Sequence, residues 1–138
     1  MDKIWKWEEK MLSIDDFNKV DMRVGTIIDV AVNKRARKPA YKIKIDVGNE
    51  IGIKNSSAQI TDLYSMEELI GKQVIVVTNF EPIRIADVKS EVRILGADTK
   101  EGCVILNPER KVKNGSKIFW YENYNLLGWE IYIKKIRF

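Results

Sequence analysis

Histidine is absent from the 138-residue chain, and there is one cysteine, Cys103. The first absence removes the commonest general base, the commonest metal ligand and the side chain that titrates near neutral pH. With a single thiol as well, one chain holds no Cys/His zinc site and no Ser-His or Cys-His nucleophile pair. A lone cysteine forms no internal disulfide, which points towards a reducing, cytoplasmic compartment. No run of 18 apolar residues occurs, so no membrane insertion is expected. The opening MDKIWKWEEKM places Asp2, Glu8 and Glu9 where an export signal needs an apolar stretch. Neither GxxxxGK[ST] nor GxGxxG is present, so the common phosphate-cradling loops are missing. A carboxylate-only enzyme is the one catalytic class left open, and no sequence feature points to one; no metal ligand set or cofactor motif is present.

What is present is charge. Charged residues make up 32% of the chain and apolar ones 45%, a globular composition, and the net charge of +4 is unevenly placed. Residues 1–16 carry five acids against three lysines, whereas residues 33–45 hold Lys34, Arg35, Arg37, Lys38, Lys42 and Lys44 with no acid. A sequence pI of about 9.1 with clustered cations is the electrostatic signature of a polyanion binder. The other reading of the cluster is a solvated basic loop.

Residues 1–20 read as a helical arm, with Asp15-Asp16 marking a helix start. MRVGTIIDVAV (22–32) is β-branched and reads as a strand, with Gly25 as the place for a bulge or bend. After the loop NKRARKP (33–39), AYKIKIDVG (40–48) alternates, with Tyr41, Ile43, Ile45 and Val47 on one face and Lys42, Lys44 and Asp46 on the other. Gly48-Asn49-Glu50 then reads as a tight turn into a return strand over 50–55. Residues 56–73 read as a helical insert. Ser65 and Glu68 are spaced as a capping box, and Tyr64 and Leu69 as a hydrophobic staple. VIVVTNF (74–80) reads as a buried strand and EPIRIADVKS (81–90) as a loop. EVRILGA (91–97) and CVILN (103–107) read as further strands, and Asn114-Gly115 as a turn. This order predicts an all-β fold: a five-stranded OB-type barrel with a short helix after the third strand, an N-terminal helical arm and a C-terminal extra strand. The last 20 residues, 119–138, contain two of the four tryptophans and three of the five tyrosines. WEIYIKKIRF alternates like a strand that should not stay exposed, and serves either as an extra core strand or as a dimer element.

The segments FNKVDMRVG (17–25), KIKIDVG (42–48), IGIKNSSAQIT (51–61), YSMEELIGKQV (64–74), NFEPIRIADVKSEV (79–92) and ILG (94–96), in this order, resemble the stand-alone tRNA-binding domains. IGIKNSSAQIT is most similar to the CsaA-type export chaperones. The likeness spans about residues 14–118, leaving 1–13 as an arm and 119–138 as an extension. It implies an OB fold, a homodimer, no catalysis, and an RNA face near Lys54, Ser56, Ser57, Asn79, Ser90 and Glu91. Arg84 and Lys89 in the same segment add charge, and Lys34, Arg35, Arg37 and Lys38 form a phosphate-contact loop. Glu91 would accept from exocyclic amines or pair with Arg84 or Lys89. The structural alternative has Ser56 and Ser57 capping the following turn and Asn79 ending a strand. Asp87 stands where many members carry glycine, which makes it the position expected to need a positive φ.

Three functions follow as expectations. One is a module binding tRNA or other structured RNA. The second is a dimeric chaperone for unfolded or export-bound polypeptides, and the third a tRNA-binding accessory subunit of an aminoacyl-tRNA synthetase.

Overall fold

A computed structural model describes residues 11–120. The expected aromatic strand over 129–138 and most of the N-terminal arm lie outside these residues. Two compact units are distinguished. Residues 20–118 hold the barrel, and residues 11–19 and 119–120 belong to the second unit. In the latter, helix α1 (Ile14–Asn18) is capped by Ser13, whose hydroxyl accepts from the Asp16 N–H, so the helix starts before the expected Asp15-Asp16.

The barrel is built on β1 (Met22–Val32), which is long enough to serve two partners. Its first half pairs with β4 (Gln73–Val77) and its second with β2 (Tyr41–Asp46); Thr26 is the crossing point, opposite both Gln73 and Asp46. Gly25 makes the crossing possible. A Cβ there would lie 2.6 Å from Ile45 Cγ2 and 3.0 Å from the Asp46 carbonyl oxygen. The bulge is elsewhere than expected: the register slips between Ile27 and Asp29. The extra residue resets the alternation, so that Ile28 and Asp29 both face outward while Ile27 and Val30 stay in the core.

A single turn of helix, α2 (Gly48–Ile51), replaces the expected tight turn, and β3 (Ile53–Ala58) follows it. The expected 50–55 strand therefore begins later and runs on through Ser56 and Ser57, which are strand residues and not part of a helical insert. The insert reduces to α3 (Met66–Leu69), with both halves of the capping box formed: Ser65 Oγ accepts from Glu68 N–H and Glu68 accepts from Ser65 N–H. Leu69 is part of the core, and Tyr64, partly buried, packs against it.

The segment read as a loop over 81–90 is a hairpin, β5 (Ile83–Ile85) and β6 (Val88–Ser90). Its two-residue turn puts the positive φ, 57°, on Ala86 rather than on Asp87. A positive φ at the first turn residue is what a type II′ hairpin requires, so the demand falls one residue earlier than expected. The expected strand 91–97 is split into β7 (Arg93–Ile94), which pairs with β4, and β8 (Gly96–Thr99), which forms a separate hairpin with β9 (Gly102–Ile105).

The order β3-β2-β1-β4-β7 gives a nearly closed five-stranded barrel with a short helix after the third strand, an all-β OB-type fold. Its core is Ile27, Ile43, Ile45, Val47, Leu69, Val74, Val76 and Val92, each at most 1% exposed.

Candidate nucleic-acid interface

The seam of the barrel lies between β3 and residues 90–92. The Glu91 N–H donates to the Asn55 carbonyl at 2.8 Å, while Asn55 N–H donates to Glu91 Oε1 at 3.0 Å. The Ser57 N–H donates to Ser90 Oγ at 3.1 Å, and Ser56 Oγ donates to the Val92 carbonyl at 2.8 Å. Ser56 and Ser90 are 1% and 0% exposed. Their hydroxyls therefore satisfy backbone groups that a fully paired strand would have satisfied. Glu91 also meets Lys54 Nζ at 3.8 Å, so its cationic partner is Lys54 and neither Arg84 nor Lys89.

Strand alternation separates the expected cluster. Lys54 and Ser56 pair with Ile45 and Ile43, whose side chains point into the core, whereas Asn55 and Ser57 pair with the outward Lys44 and Lys42. Asn79 sits at the other end of β1 from the basic loop. Its Oδ1 accepts from Asp21 N–H at 3.0 Å. There Asp21 also receives Arg23 Nε at 2.9 Å and the Thr78 hydroxyl. Burial pushes the Asp21 carboxyl up, but Thr78 and Arg23 together hold it below the ordinary carboxylate value. The matching residues of FNKVDMRVG thus form a clasp on the barrel.

What the structure does gather is the outer face of β1-β2-β3. The rows Ala31–Lys42–Ser57 and Asp29–Lys44–Asn55 run across it. The loop 33–40 stands at one end and the β5–β6 hairpin borders it. In OB folds this face and the two equivalent loops hold oligonucleotides. A hollow of about 250 Å³ is lined by Asp29, Lys42, Lys44, Asn55, Asp87 and Lys89 among others. Lys42 Nζ lies 3.2 Å from Asp87 Oδ2, and its ammonium, with a smaller contribution from Arg35, lowers the Asp87 carboxyl below its usual value. A second hollow of about 450 Å³ is lined by Arg35, Arg37, Lys38, Ser57, Gln59 and Arg84 together with Ala36, Ala40, Ile85 and Ala86. Lys34 is exposed but outside the lining of both. Arg84 and Lys89 are directly opposed across the hairpin. Like charges in that position repel, and an anion between them would relieve the repulsion.

Lys42 and Lys44, part of the basic cluster in the sequence, face the smaller hollow from a strand and not from the loop, and Gln59 is a residue that the sequence did not point to. The period-2 pattern of β2 carried the signal for the two lysines. Phe80 is a further addition: it is 55% exposed, and the Arg93 guanidinium stands 5.7 Å from its ring centroid. Arg93 is fixed by bonds to the carbonyls of Ser90 and Glu81, at 3.0 and 3.1 Å. An exposed ring beside a fixed guanidinium is a surface on which a base can stack. Among the described residues no group of three or more Asp, Glu or Cys could hold a metal ion, and no helix is long and apolar enough to cross a membrane.

Comparison with known proteins agrees with the barrel fold. Residues 22–117 match the family model described as "Putative tRNA binding domain". The chain is 36% identical over 115 residues to a methionine–tRNA ligase of Pyrococcus furiosus, and 39% identical over 114 residues to that of Methanococcus vannielii. The matches take in 82% and 79% of this chain but only 16% of each ligase. Among solved structures it is similar to the CsaA chaperone protein from Picrophilus torridus, with a TM-score of 0.76 and 50% identity over 79% of this chain and 100% of that one. The CsaA chaperone from Bacillus anthracis gives a TM-score of 0.74 and 44% identity over 79% of this chain and 99% of that one. The chain belongs to the tRNA-binding domain family, with CsaA chaperones as its structural neighbours.

Proposed function

We propose that the chain binds tRNA through the outer face of β1-β2-β3, and that it does so without catalysing a reaction. The observation that carries this is the convergence of the basic loop and the β5–β6 hairpin on that face, in a chain of this family. Lys34, Arg35, Arg37 and Lys38 supply phosphate attraction, with Arg84, Lys89, Lys42 and Lys44 beside them. Ser57 offers its hydroxyl to phosphate or 2′-OH. Lys54, Ser56, Ser90 and Glu91 act by holding the seam that sets the shape of the face, and Asn79 by fixing the strand end beside Phe80. Residues 14–118 form the binding domain, and residues 119–138 serve self-association into a homodimer. The protein works in the cytoplasm.

A second reading, a chaperone for unfolded polypeptides, is favoured by the 50% and 44% identity to proteins named as CsaA chaperones. A third, a tRNA-binding subunit that serves a synthetase, draws on the relatives in which a similar segment is part of a methionine–tRNA ligase.

Titrating labelled tRNA with the protein at increasing salt separates these. Phosphate-driven binding falls linearly in log–log form with salt, and Arg35→Ala with Arg37→Ala reduces the slope by about one unit for each phosphate left unneutralised. Binding of an unfolded polypeptide that survives the same salt, with tRNA binding absent, supports the chaperone reading instead.

A further inference from the structure

We infer that the larger hollow, between residues 35–38 and the turn of the β5–β6 hairpin, takes one unpaired nucleotide of an RNA strand. Its phosphate would meet the arginines and lysine of the lining, and its base would bond to Ser57 and Gln59. This rests on the nucleic-acid reading above and narrows it from a charged surface to a pocket.

Four cations, Arg35, Arg37, Lys38 and Arg84, come from segments some fifty residues apart in sequence to line one cavity of about 450 Å³. Among the described residues no carboxylate lines it. The remaining lining is neutral: Ser57 and Gln59 provide hydrogen-bonding groups, while Ala36, Ala40, Ile85 and Ala86 provide apolar surface. A double-helical phosphate backbone needs a charged surface but has no use for a cavity of this size in which neutral polar and apolar side chains stand beside the cations. Cavities that hold single small ligands measure about 300–1,000 Å³ and combine apolar walls with a few polar groups. Unpaired bases splayed out of an RNA fold fit that chemistry, since their edges bond to amides and hydroxyls.

The pocket is also braced from within. Asn33 is 3% exposed, and its amide nitrogen donates to Ile85 O at 3.3 Å and to Ser57 Oγ at 3.4 Å. One buried side chain thus ties the hairpin wall to the β3 wall. The Asn33 backbone closes the neck of the basic loop, its N–H donating to Ala40 O at 2.9 Å. Cations on a loop that merely attracts phosphate would not need their hollow held at fixed width.

The test compares two RNA duplexes with the same base pairs, one fully paired and one carrying a single additional bulged adenosine, by fluorescence anisotropy with the full chain. The bulged RNA should bind about tenfold more tightly, and Gln59→Ala, on an exposed side chain, should erase that preference. Arg84→Ala should weaken the bulged complex more than the paired one. Equal affinity of the unaltered protein for both RNAs would overturn the pocket and leave the nucleic-acid reading standing. So would a preference that persists unchanged in both variants, because the unpaired nucleotide would then sit elsewhere. Absence of binding to either RNA and to tRNA would remove the nucleic-acid reading itself.

Discussion

Replacing Ser90 by alanine deletes one oxygen at a position with no solvent access, and the seam fixes what that removal costs. Ser90 Oγ accepts the Ser57 N–H at 3.1 Å, so the variant leaves a strand-edge donor facing a methyl group. An unsatisfied buried donor costs about 1–3 kcal/mol, against about 0.5 kcal/mol or less for a surface substitution. A central value of about 2 kcal/mol corresponds to a fall in Tm of roughly 10 °C for a domain of this size. Ser56→Ala, which strips the partner from the Val92 carbonyl, should cost a similar amount. The double variant should depart from additivity, because the two bonds brace the same seam. Urea unfolding followed by far-UV circular dichroism gives each value. Should Ser90→Ala unfold within about 0.5 kcal/mol of the parent and yet lose tRNA binding, the hydroxyl is a ligand contact and the assignment to barrel closure is wrong.

Three further outcomes are expected. Because the folded-state Asp21 carboxyl lies below its unfolded value of about 3.9, the clasp contributes stability above that pH and loses it as pH falls through the folded value; Asp21→Asn should flatten the acid limb of a stability–pH curve. Asp87→Asn releases Lys42 from its ion pair and removes a negative charge from the binding face. It should tighten tRNA binding a few-fold at low salt and leave the unfolding midpoint nearly unchanged, since the pair is exposed. Gly25→Ala forces a methyl against Ile45 and the Asp46 carbonyl and should destabilise by about 1–3 kcal/mol, measured by thermal melting; an unchanged Tm would mean that the strand crossing is looser than these distances require.

Local chemistry was legible in the sequence by itself. The alternation of β2, the capping box at Ser65 and Glu68, the resumption of pairing after Pro39 and the basic run over 34–44 depend on a residue and its near neighbours, which the chain states outright. So did the absence of histidine, which emptied whole classes of chemistry before any fold was considered. Tertiary structure decided which polar residues face a ligand and which hold the barrel. Ser56 and Ser57 are adjacent in sequence, yet one bonds Val92 in the closed seam and the other lines the hollow, because neighbouring strand residues point to opposite sides. Ser90 reads as a surface hydroxyl until Ser57 is brought to it from 33 residues away. The hairpin over 83–90 has strands of three residues, too short for periodicity to declare, and its turn is set by the positive φ of Ala86, a residue with no preference for it. Arg84 joins Arg35 and Lys38 around one cavity only because that hairpin folds back beside β3. Sequence spacing carries no record of such a meeting, since it is made by the closure of the barrel and not by any local preference of the chain.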